Sequence, residues 1–161
     1  MSSEELNDAF IYFELPDSAK RAFTADNRAE YGDNEPPHVS VVYLPGLSDQ
    51  DLFTATRAVQ LLEKSLYPID IQFGNLSSFL SEDHVLSWHV EVKSERLFRF
   101  REIVCELMSR LTVPVNDPYT NYIPHATLAY GLEGEEYSGG VPSGSLHLNK
   151  LRISSKKRTS N

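Results

Sequence analysis

Hydrophobic residues follow two different spacings along the chain, and the two spacings occur in separate blocks. Blocks of alternating or continuous apolar residues predict β-strands at 9–15, 38–45, 69–79, 84–93, 124–131 and 145–154. Apolar residues three and four positions apart predict helices at 18–23, 49–66 and 94–111. Proline, glycine and polar residues separate these blocks, as is typical of turns and loops. The predicted order of elements is therefore β-α-β-α-β-β-α-β-β.

This order predicts the class of fold. Strands and helices are mixed without the strict alternation of a doubly wound fold, which favours an α+β fold with antiparallel strand pairing. The length of 161 residues fits one domain, and we expect residues 1–161 to form a single domain of two similar lobes. The basic segment 155–161 is expected to be a frayed tail.

A seven-residue segment occurs twice in the sequence. Residues 37–43 read PHVSVVY and residues 124–130 read PHATLAY, with the proline, histidine and tyrosine identical. The offset is constant, because 125 − 38 = 87 for the histidines and 127 − 40 = 87 for the hydroxyl residues. Two matching segments in similar surroundings indicate an internal duplication, with one copy in each lobe.

Strand alternation places the polar residues of each copy on one face. His38 and Ser40 are predicted to share a face with Val42, and His125 is predicted to share a face with Thr127. The tyrosine that ends each copy is predicted on the opposite, apolar face. If the two lobes meet about a twofold axis, two imidazoles and two hydroxyls face one another across a cleft.

Such a set of groups suits phosphodiester chemistry. A neutral imidazole can accept a proton from an attacking hydroxyl or water, and a protonated imidazole can give one to the leaving oxygen. Ser40 and Thr127 can donate hydrogen bonds to the non-bridging phosphoryl oxygens. The scheme needs neither metal nor cofactor. A single His-x-Ser is usually a half-exposed strand edge, but the second copy favours the catalytic interpretation.

Composition limits the partners that the protein can bind. The chain carries 15 Lys and Arg against 23 Asp and Glu, a net charge of −8, which disfavours binding to long DNA. A small nucleotide or a short oligonucleotide is the expected substrate. The single cysteine excludes a disulfide within the chain. Without a signal peptide or an apolar run of membrane length, a cytoplasmic monomer with no membrane partner is expected.

Aromatic residues near the predicted cleft are candidates for contact with a nucleobase. They are Tyr12, Phe79, Trp88 and Tyr122. Tyr12 alternates with two apolar neighbours, so its ring is expected on the opposite face from theirs. Core packing is the ordinary role of aromatic residues on a buried face, and it is the alternative for each of these. His89 is on the polar side of its strand and is expected to be solvated.

The two His-x-Ser/Thr motifs resemble those of the 2H phosphoesterase superfamily. The resemblance extends to the order of the segments IYFEL, FGNLSSF, VLSWHVEV and IPHATLAYG along the chain. The superfamily includes bacterial 2′-5′ RNA ligase-like proteins, plant cyclic phosphodiesterases and phage enzymes that destroy cyclic oligonucleotide signals. The acidic charge and the PPHVS segment are similar to phage-type members, which would act in the host cytoplasm.

This resemblance implies a bilobal α+β fold in which two antiparallel sheets line a central cleft, with helices on the outside. It implies metal-independent phosphodiester chemistry, with His38 and Ser40 from the first motif and His125 and Thr127 from the second. Which histidine is the acid stays open at this point. An alternative is a protein that binds and sequesters a nucleotide signal in the same cleft without cleaving it.

Overall fold

The computed structural model of the chain describes residues 5–19, 37–118 and 121–158. The elements in this part of the chain are β1 (Asn7–Glu14), β2 (His38–Leu47), α1 (Asp49–Lys64), β3 (Ile69–Leu80), β4 (Val85–Lys93), α2 (Glu95–Arg110), β5 (His125–Leu132), β6 (Ser145–Leu148) and β7 (Lys150–Lys157). The predicted α+β class is confirmed. The predicted helix at 18–23 falls mostly outside the described residues.

Serine caps begin both of these helices. The Ser48 hydroxyl accepts a hydrogen bond from the Asp51 backbone N–H at 3.1 Å, and the Ser94 hydroxyl accepts one from the Leu97 N–H at 3.2 Å. Each helix buries one apolar face, which in α1 consists of small residues and in α2 of larger ones. The buried residues are Ala55, Ala58 and Val59 in α1, and Leu97, Phe100, Val104 and Met108 in α2.

The strands form one antiparallel sheet in the order β6-β3-β4-β5-β2-β1-β7. This sheet has two parts, β7-β1-β2 and β5-β4-β3-β6, which pair extensively within themselves. Between the parts, β2 and β5 share a single pair of residues, Val39 and Ala126. The two expected antiparallel sheets are therefore joined into one sheet at one point.

The last predicted strand, at 145–154, is two strands in the structure. β6 and β7 are separated only by Asn149, yet they lie at opposite edges of the sheet. A flat sheet of this size would be about 29 Å wide, since neighbouring strands are about 4.8 Å apart. The two steps from Leu148 to Lys150 span at most about 7 Å, so the sheet must curl strongly to bring its edges together. β7 also includes residues 155–157 of the predicted frayed tail.

The two faces of the sheet have different roles. One face carries the core, in which Phe13, Val39 and Ala126 are fully buried, and both helices pack against it. Helix α1 lies against β1, β2 and β7, and α2 lies against β2 and β3. We call the other face the histidine face, because it carries the side chains of His38, Ser40, His125 and Thr127. The expectation of helices on the outside is met by α1 and α2.

A β-bulge interrupts the alternation in each copy of the repeated segment. In β2, Val42 pairs with Ile11 and Ser40 pairs with Tyr12, so Val41 is an extra residue. In β5, Ala129 pairs with Trp88 and Thr127 pairs with His89, so Leu128 is the extra residue. The two extra residues are at the same place in the two copies.

The bulges correct the predicted faces of three residues. Val42, predicted beside His38, is 2% exposed and belongs to the core. Tyr43 and Tyr130, predicted on the apolar face, turn to the histidine face, because two neighbouring residues before each of them both point into the core. The burial classes of residues 38–44 and 125–131 are identical at all seven positions. The division into two lobes itself stays a prediction.

No helix in the described part of the chain is long and apolar enough to cross a membrane.

Replacing Val42 by Thr tests the bulge in β2. The change keeps the volume of the side chain but buries a hydroxyl in the core, so the free energy of unfolding should fall by about 1–3 kcal/mol in urea denaturation. The control is Val141→Thr, since Val141 is 45% exposed and its hydroxyl would be hydrated. Equal stability of the two variants would place Val42 on the solvated face and contradict the bulge.

Candidate active site

The pair formed by Val39 and Ala126 brings the two motifs together. Continuing this antiparallel register by one residue places His38 opposite Thr127 and Ser40 opposite His125, all on the histidine face. In regular antiparallel strands, Cβ atoms of opposite residues are about 5 Å apart and those of diagonal residues about 7–8 Å. These values are lower bounds here, because β2 and β5 diverge beyond the one pair. The pair therefore sets the two motifs side by side on the histidine face.

His38 lies against two aromatic rings of β1. The centroid of its ring is 5.0 Å from that of Tyr12 and 5.5 Å from that of Phe10. Tyr12 is 7% exposed and is the Cα partner of Ser40, so its ring is on the histidine face, where alternation with its apolar neighbours places it. Glu14, which is on β1 like Tyr12, is the Cα partner of His38. Aromatic rings thus line the first-motif half of the site.

His125 is held through one ring nitrogen. Its Nδ1 lies 2.8 Å from the backbone carbonyl oxygen of Ile123. A carbonyl oxygen can only accept, so Nδ1 carries the hydrogen and donates it. Nε2 is then the nitrogen that can exchange a proton with a ligand. A fixed tautomer of this kind is what a general acid or base requires.

His89 is a third imidazole of the site, and the expectation that it is solvated is wrong. It is 4% exposed, and its ring lies 5.0 Å from the ring of His125. Phe79 of β3, itself 48% exposed, stacks on His89 at 4.2 Å and shields it from water. The sequence carried one signal, which is that His89 has the parity of its strand's polar face. Phe79 was expected near the cleft, but its stacking on His89 was not predicted.

Burial and charge both keep His89 neutral. Removal from water lowers the pKa of its imidazole, and a positive charge on His125 lowers it further. The carboxylate of Glu91 and the backbone of Ser87 act in the opposite direction but are weaker. The Nδ1 atom of His89 is buried without a hydrogen-bonding partner in the described protein. A positive charge on His125 therefore disfavours protonation of its neighbour His89.

The positions of His89 and Tyr12 correspond in the two halves of the site. His89 is the Cα partner of Thr127, and Tyr12 is the Cα partner of Ser40. A tyrosine therefore neighbours the first motif where a histidine neighbours the second. The repeated motifs are nearly symmetric, but their surroundings are not.

Tyr122 contacts the first motif through the backbone. Its hydroxyl donates a hydrogen bond of 2.6 Å to the carbonyl oxygen of Ser40. Burial raises the pKa of this phenol, against the opposing effect of the Arg101 guanidinium, so the hydroxyl stays protonated and remains a donor. The guanidinium carbon lies 5.0 Å from the centre of the Tyr122 ring. Whether the ring also contacts substrate stays a prediction.

An ion pair between Arg101 and Asp117 also supports the first motif. The two side chains are 3.2 Å apart and are only 18% and 7% exposed. Arg101 Nε donates to the carbonyl oxygen of Val41 at 3.1 Å, and Asp117 accepts from the backbone N–H of Tyr43 at 3.0 Å. Side chains of α2 and of the segment before β5 thus bind the backbone of β2. β5 itself pairs with β2 at only one residue.

Trp88 is not brought to the histidine face. It is 6% exposed, alternates with His89 on β4 and packs against Tyr137 with ring centroids 5.8 Å apart. Its observed contact is thus a packing contact, away from the two motifs. Within the part of the chain that the structure describes, no group of three or more His, Cys, Asp or Glu side chains is arranged to hold a metal ion.

Comparisons with known proteins identify the family. Residues 15–138 match the profile of the 2′-5′ RNA ligase superfamily. The match covers well over half of the chain, and the chain belongs to this superfamily. A comparison with curated proteins finds no match.

Solved structures share the fold at low sequence identity. The protein TT0787 of Thermus thermophilus is 14% identical with a TM-score of 0.62, over 91% of this chain and 86% of that chain. The apo form of Escherichia coli LigT is 15% identical with a TM-score of 0.57, over 98% of this chain and 100% of that chain. A structure described as a phosphoesterase is 13% identical with a TM-score of 0.56, over 98% and 96% of the two chains.

Replacing Tyr122 by Phe tests the support of the first motif. The change removes the donor to the Ser40 carbonyl and leaves a part-buried acceptor unpaired, which should lower the free energy of unfolding by about 1–3 kcal/mol. In the control Tyr137→Phe, water can replace the lost donor to the exposed Gly140 carbonyl. Equal urea midpoints for the two variants would show that the Tyr122 bond contributes nothing.

Replacing His89 by Phe tests the neutral state of the buried imidazole. Because the folded state holds the pKa of His89 below its ordinary value of 6.5, the unfolded chain binds a proton first as pH falls. Wild-type stability should therefore fall below about pH 6.5, and the variant should lose part of this slope. The measurement is urea denaturation at several pH values, with exposed His147→Phe as the control. An unchanged slope in His89→Phe would contradict the assignment.

Proposed function

We propose that this member of the 2′-5′ RNA ligase superfamily is a metal-independent phosphodiesterase that cleaves a small nucleotide phosphodiester by two-histidine acid/base catalysis. The observation that supports the proposal is the pairing of Val39 with Ala126, each of which is next to the histidine of its motif. Two proton-transfer groups on opposite sides of one phosphate can act on its attacking and leaving oxygens.

Each group of the tetrad has a separate role in the proposed reaction. The neutral histidine takes the proton of the attacking hydroxyl, whose oxygen forms a bond to phosphorus. The protonated histidine gives its proton to the leaving oxygen as the old P–O bond breaks. Ser40 and Thr127 donate hydrogen bonds to the non-bridging oxygens, where negative charge concentrates in the transition state.

The nucleophile depends on the substrate. A ribose hydroxyl next to the scissile phosphate attacks when the substrate is a linear or cyclic oligonucleotide, and the product is then a cyclic phosphate. Water attacks when the substrate is already a 2′,3′-cyclic phosphate. Both routes use the same four side chains.

The proposed substrate class is a cyclic or short oligonucleotide joined by 2′,5′ or 3′,5′ linkages, or a 2′,3′-cyclic nucleotide. Structures of E. coli LigT with ATP, with NADP+ and with 3′-AMP support a small nucleotide as ligand. The net charge of −8 argues against long nucleic acids. Tyr12, next to His38, offers a ring for contact with a sugar or base.

The two histidine variants test the catalytic proposal. His38→Ala and His125→Ala should each lower kcat by about 10²–10⁴-fold, the usual contribution of general acid/base catalysis. The assay is chromatography of products from 2′,3′-cyclic nucleotides, 2′,5′-oligoadenylate, cyclic dinucleotides and short RNA. His147→Ala is the control, because His147 is exposed and pairs with Asp70 at the edge of the sheet. Full activity in either motif variant would overturn the proposal.

Chelation and binding measurements separate this proposal from its alternatives. Activity should persist in EDTA, and kcat/KM should have a bell-shaped dependence on pH, since one histidine must be neutral and the other protonated. Loss of activity on chelation would contradict a metal-independent mechanism. Tight binding of a nucleotide without turnover would instead support a protein that sequesters a nucleotide signal.

A further inference from the structure

We infer that the histidine face accepts a phosphodiester with a nucleoside on each side, and that Tyr43 and Tyr130 stack on the two bases. The inference deepens the proposed function, and it rests on that proposal in taking the two motifs as the place where the phosphate binds. The evidence is the position of the two tyrosines. Strict alternation would put both on the core face, and the two bulges turn them to the histidine face.

Tyr43 shares the histidine face with Phe10. The two residues are Cα partners across β2 and β1, and directly opposite residues of antiparallel strands point to the same face. The ring of Phe10 lies 5.5 Å from the ring of His38. The side chain of Tyr43 is therefore on the catalytic side of the sheet, and the residue is half-buried.

Tyr130 reaches the same face in the other half of the site. Its Cα partner is Ser87 of β4, which is two residues before His89 and so shares its face. The ring of His89 contacts the ring of His125, which fixes that face as the histidine face. Tyr130 is also half-buried. The two tyrosines thus have equivalent places in the two copies.

The antiparallel pairing puts the tyrosines on opposite sides of the catalytic centre. Both follow their motif histidine by five residues, and β2 and β5 run in opposite directions. At about 3.3 Å per residue, with one residue taken up by the bulge, each tyrosine Cα lies about 10 Å along its strand from the Val39 and Ala126 pair. The two are then about 20 Å apart. A ligand with one nucleoside reaches one of them, and a ligand with a nucleoside on each side of the phosphate reaches both.

The uncharged rings of Tyr43 and Tyr130 could provide affinity for a nucleotide in a protein whose net charge is negative. A chain with a net charge of −8 gains little from long-range attraction of a phosphate, so affinity must come from local contacts. Stacking on an aromatic ring contributes about 5- to 150-fold in affinity for each base and accepts any base. The alternative is that the duplication kept both tyrosines for packing alone, and the experiment decides between the two.

The experiment measures binding without turnover, in the His38→Ala protein. Calorimetry compares the two isomers of a dinucleoside monophosphate, adenylyl-(2′,5′)-adenosine and adenylyl-(3′,5′)-adenosine, with 3′-AMP and 5′-AMP. At least one dinucleotide should bind more tightly than either mononucleotide. Tyr43→Leu and Tyr130→Leu should each weaken its binding by about 5- to 150-fold, and the phenylalanine variants should keep most of the affinity because they keep the ring.

Tyr67→Leu is the matched control, since Tyr67 is 81% exposed and lies beyond the end of α1. Circular dichroism shows whether each variant is folded, and the phenylalanine variants give a second measurement if a leucine variant is not. Equal binding of mono- and dinucleotides, or unchanged affinity in both leucine variants, would overturn the inference. Loss of affinity in the phenylalanine variants would overturn stacking as its basis.

The outcome is distinguishable from failure of the proposed function. Cleavage by the wild-type protein with no effect of the tyrosines on dinucleotide binding would leave the phosphodiesterase standing and remove the inference. Dinucleotide binding that depends on both tyrosines, with no cleavage of any substrate, would keep the inference and remove the phosphodiesterase.

Discussion

The single pair of residues between β2 and β5 is the constraint on which the arrangement of the site depends. If the two strands paired along their whole length, their backbones would close the surface between the motifs. If they did not pair at all, nothing would fix one histidine relative to the other. One pair, Val39 with Ala126, sets the register and leaves the strands free to diverge. The small side chain of Ala126, fully buried, permits this close approach on the core side.

Divergence has a cost, because backbone groups of β2 that lack a partner strand still need hydrogen bonds. Tyr122, Arg101 and Asp117 supply three of them, and all three belong to the second half of the chain. These side chains therefore replace part of a longer ladder while keeping the strands apart. Because α2 and the segment before β5 hold the first motif, the relative position of the motifs also depends on side chains outside the two motifs.

The sequence predicts those features of the site that depend on one strand alone, and it does not predict those that depend on contacts between strands. The repeat and the alternation around His38 and His125 place the four polar groups on one face, because alternation is a property of each strand alone. The bulges are not local, since Val41 becomes an extra residue only relative to β1, and this reversed the predicted face of Tyr43. The burial of His89 by Phe79 depends on a third strand, and the division of the last strand at Asn149 depends on the curl of the whole sheet.

The distribution of charge explains why the proposed binding of a nucleotide at the histidine face would depend on neutral groups and on the imidazoles. Several basic side chains are already in ion pairs, including Arg152 with Glu63, Arg158 with Asp8 and Lys157 with Asp49. They neutralise acidic neighbours along β7, which is two strands away from the first motif. In the proposed reaction, a phosphate between the motifs would meet the hydroxyls of Ser40 and Thr127 and the imidazoles of His38 and His125. Under that proposal, the positive charge is present only while a histidine is protonated, so binding of the anion would be linked to the protonation state that the proposed catalysis requires.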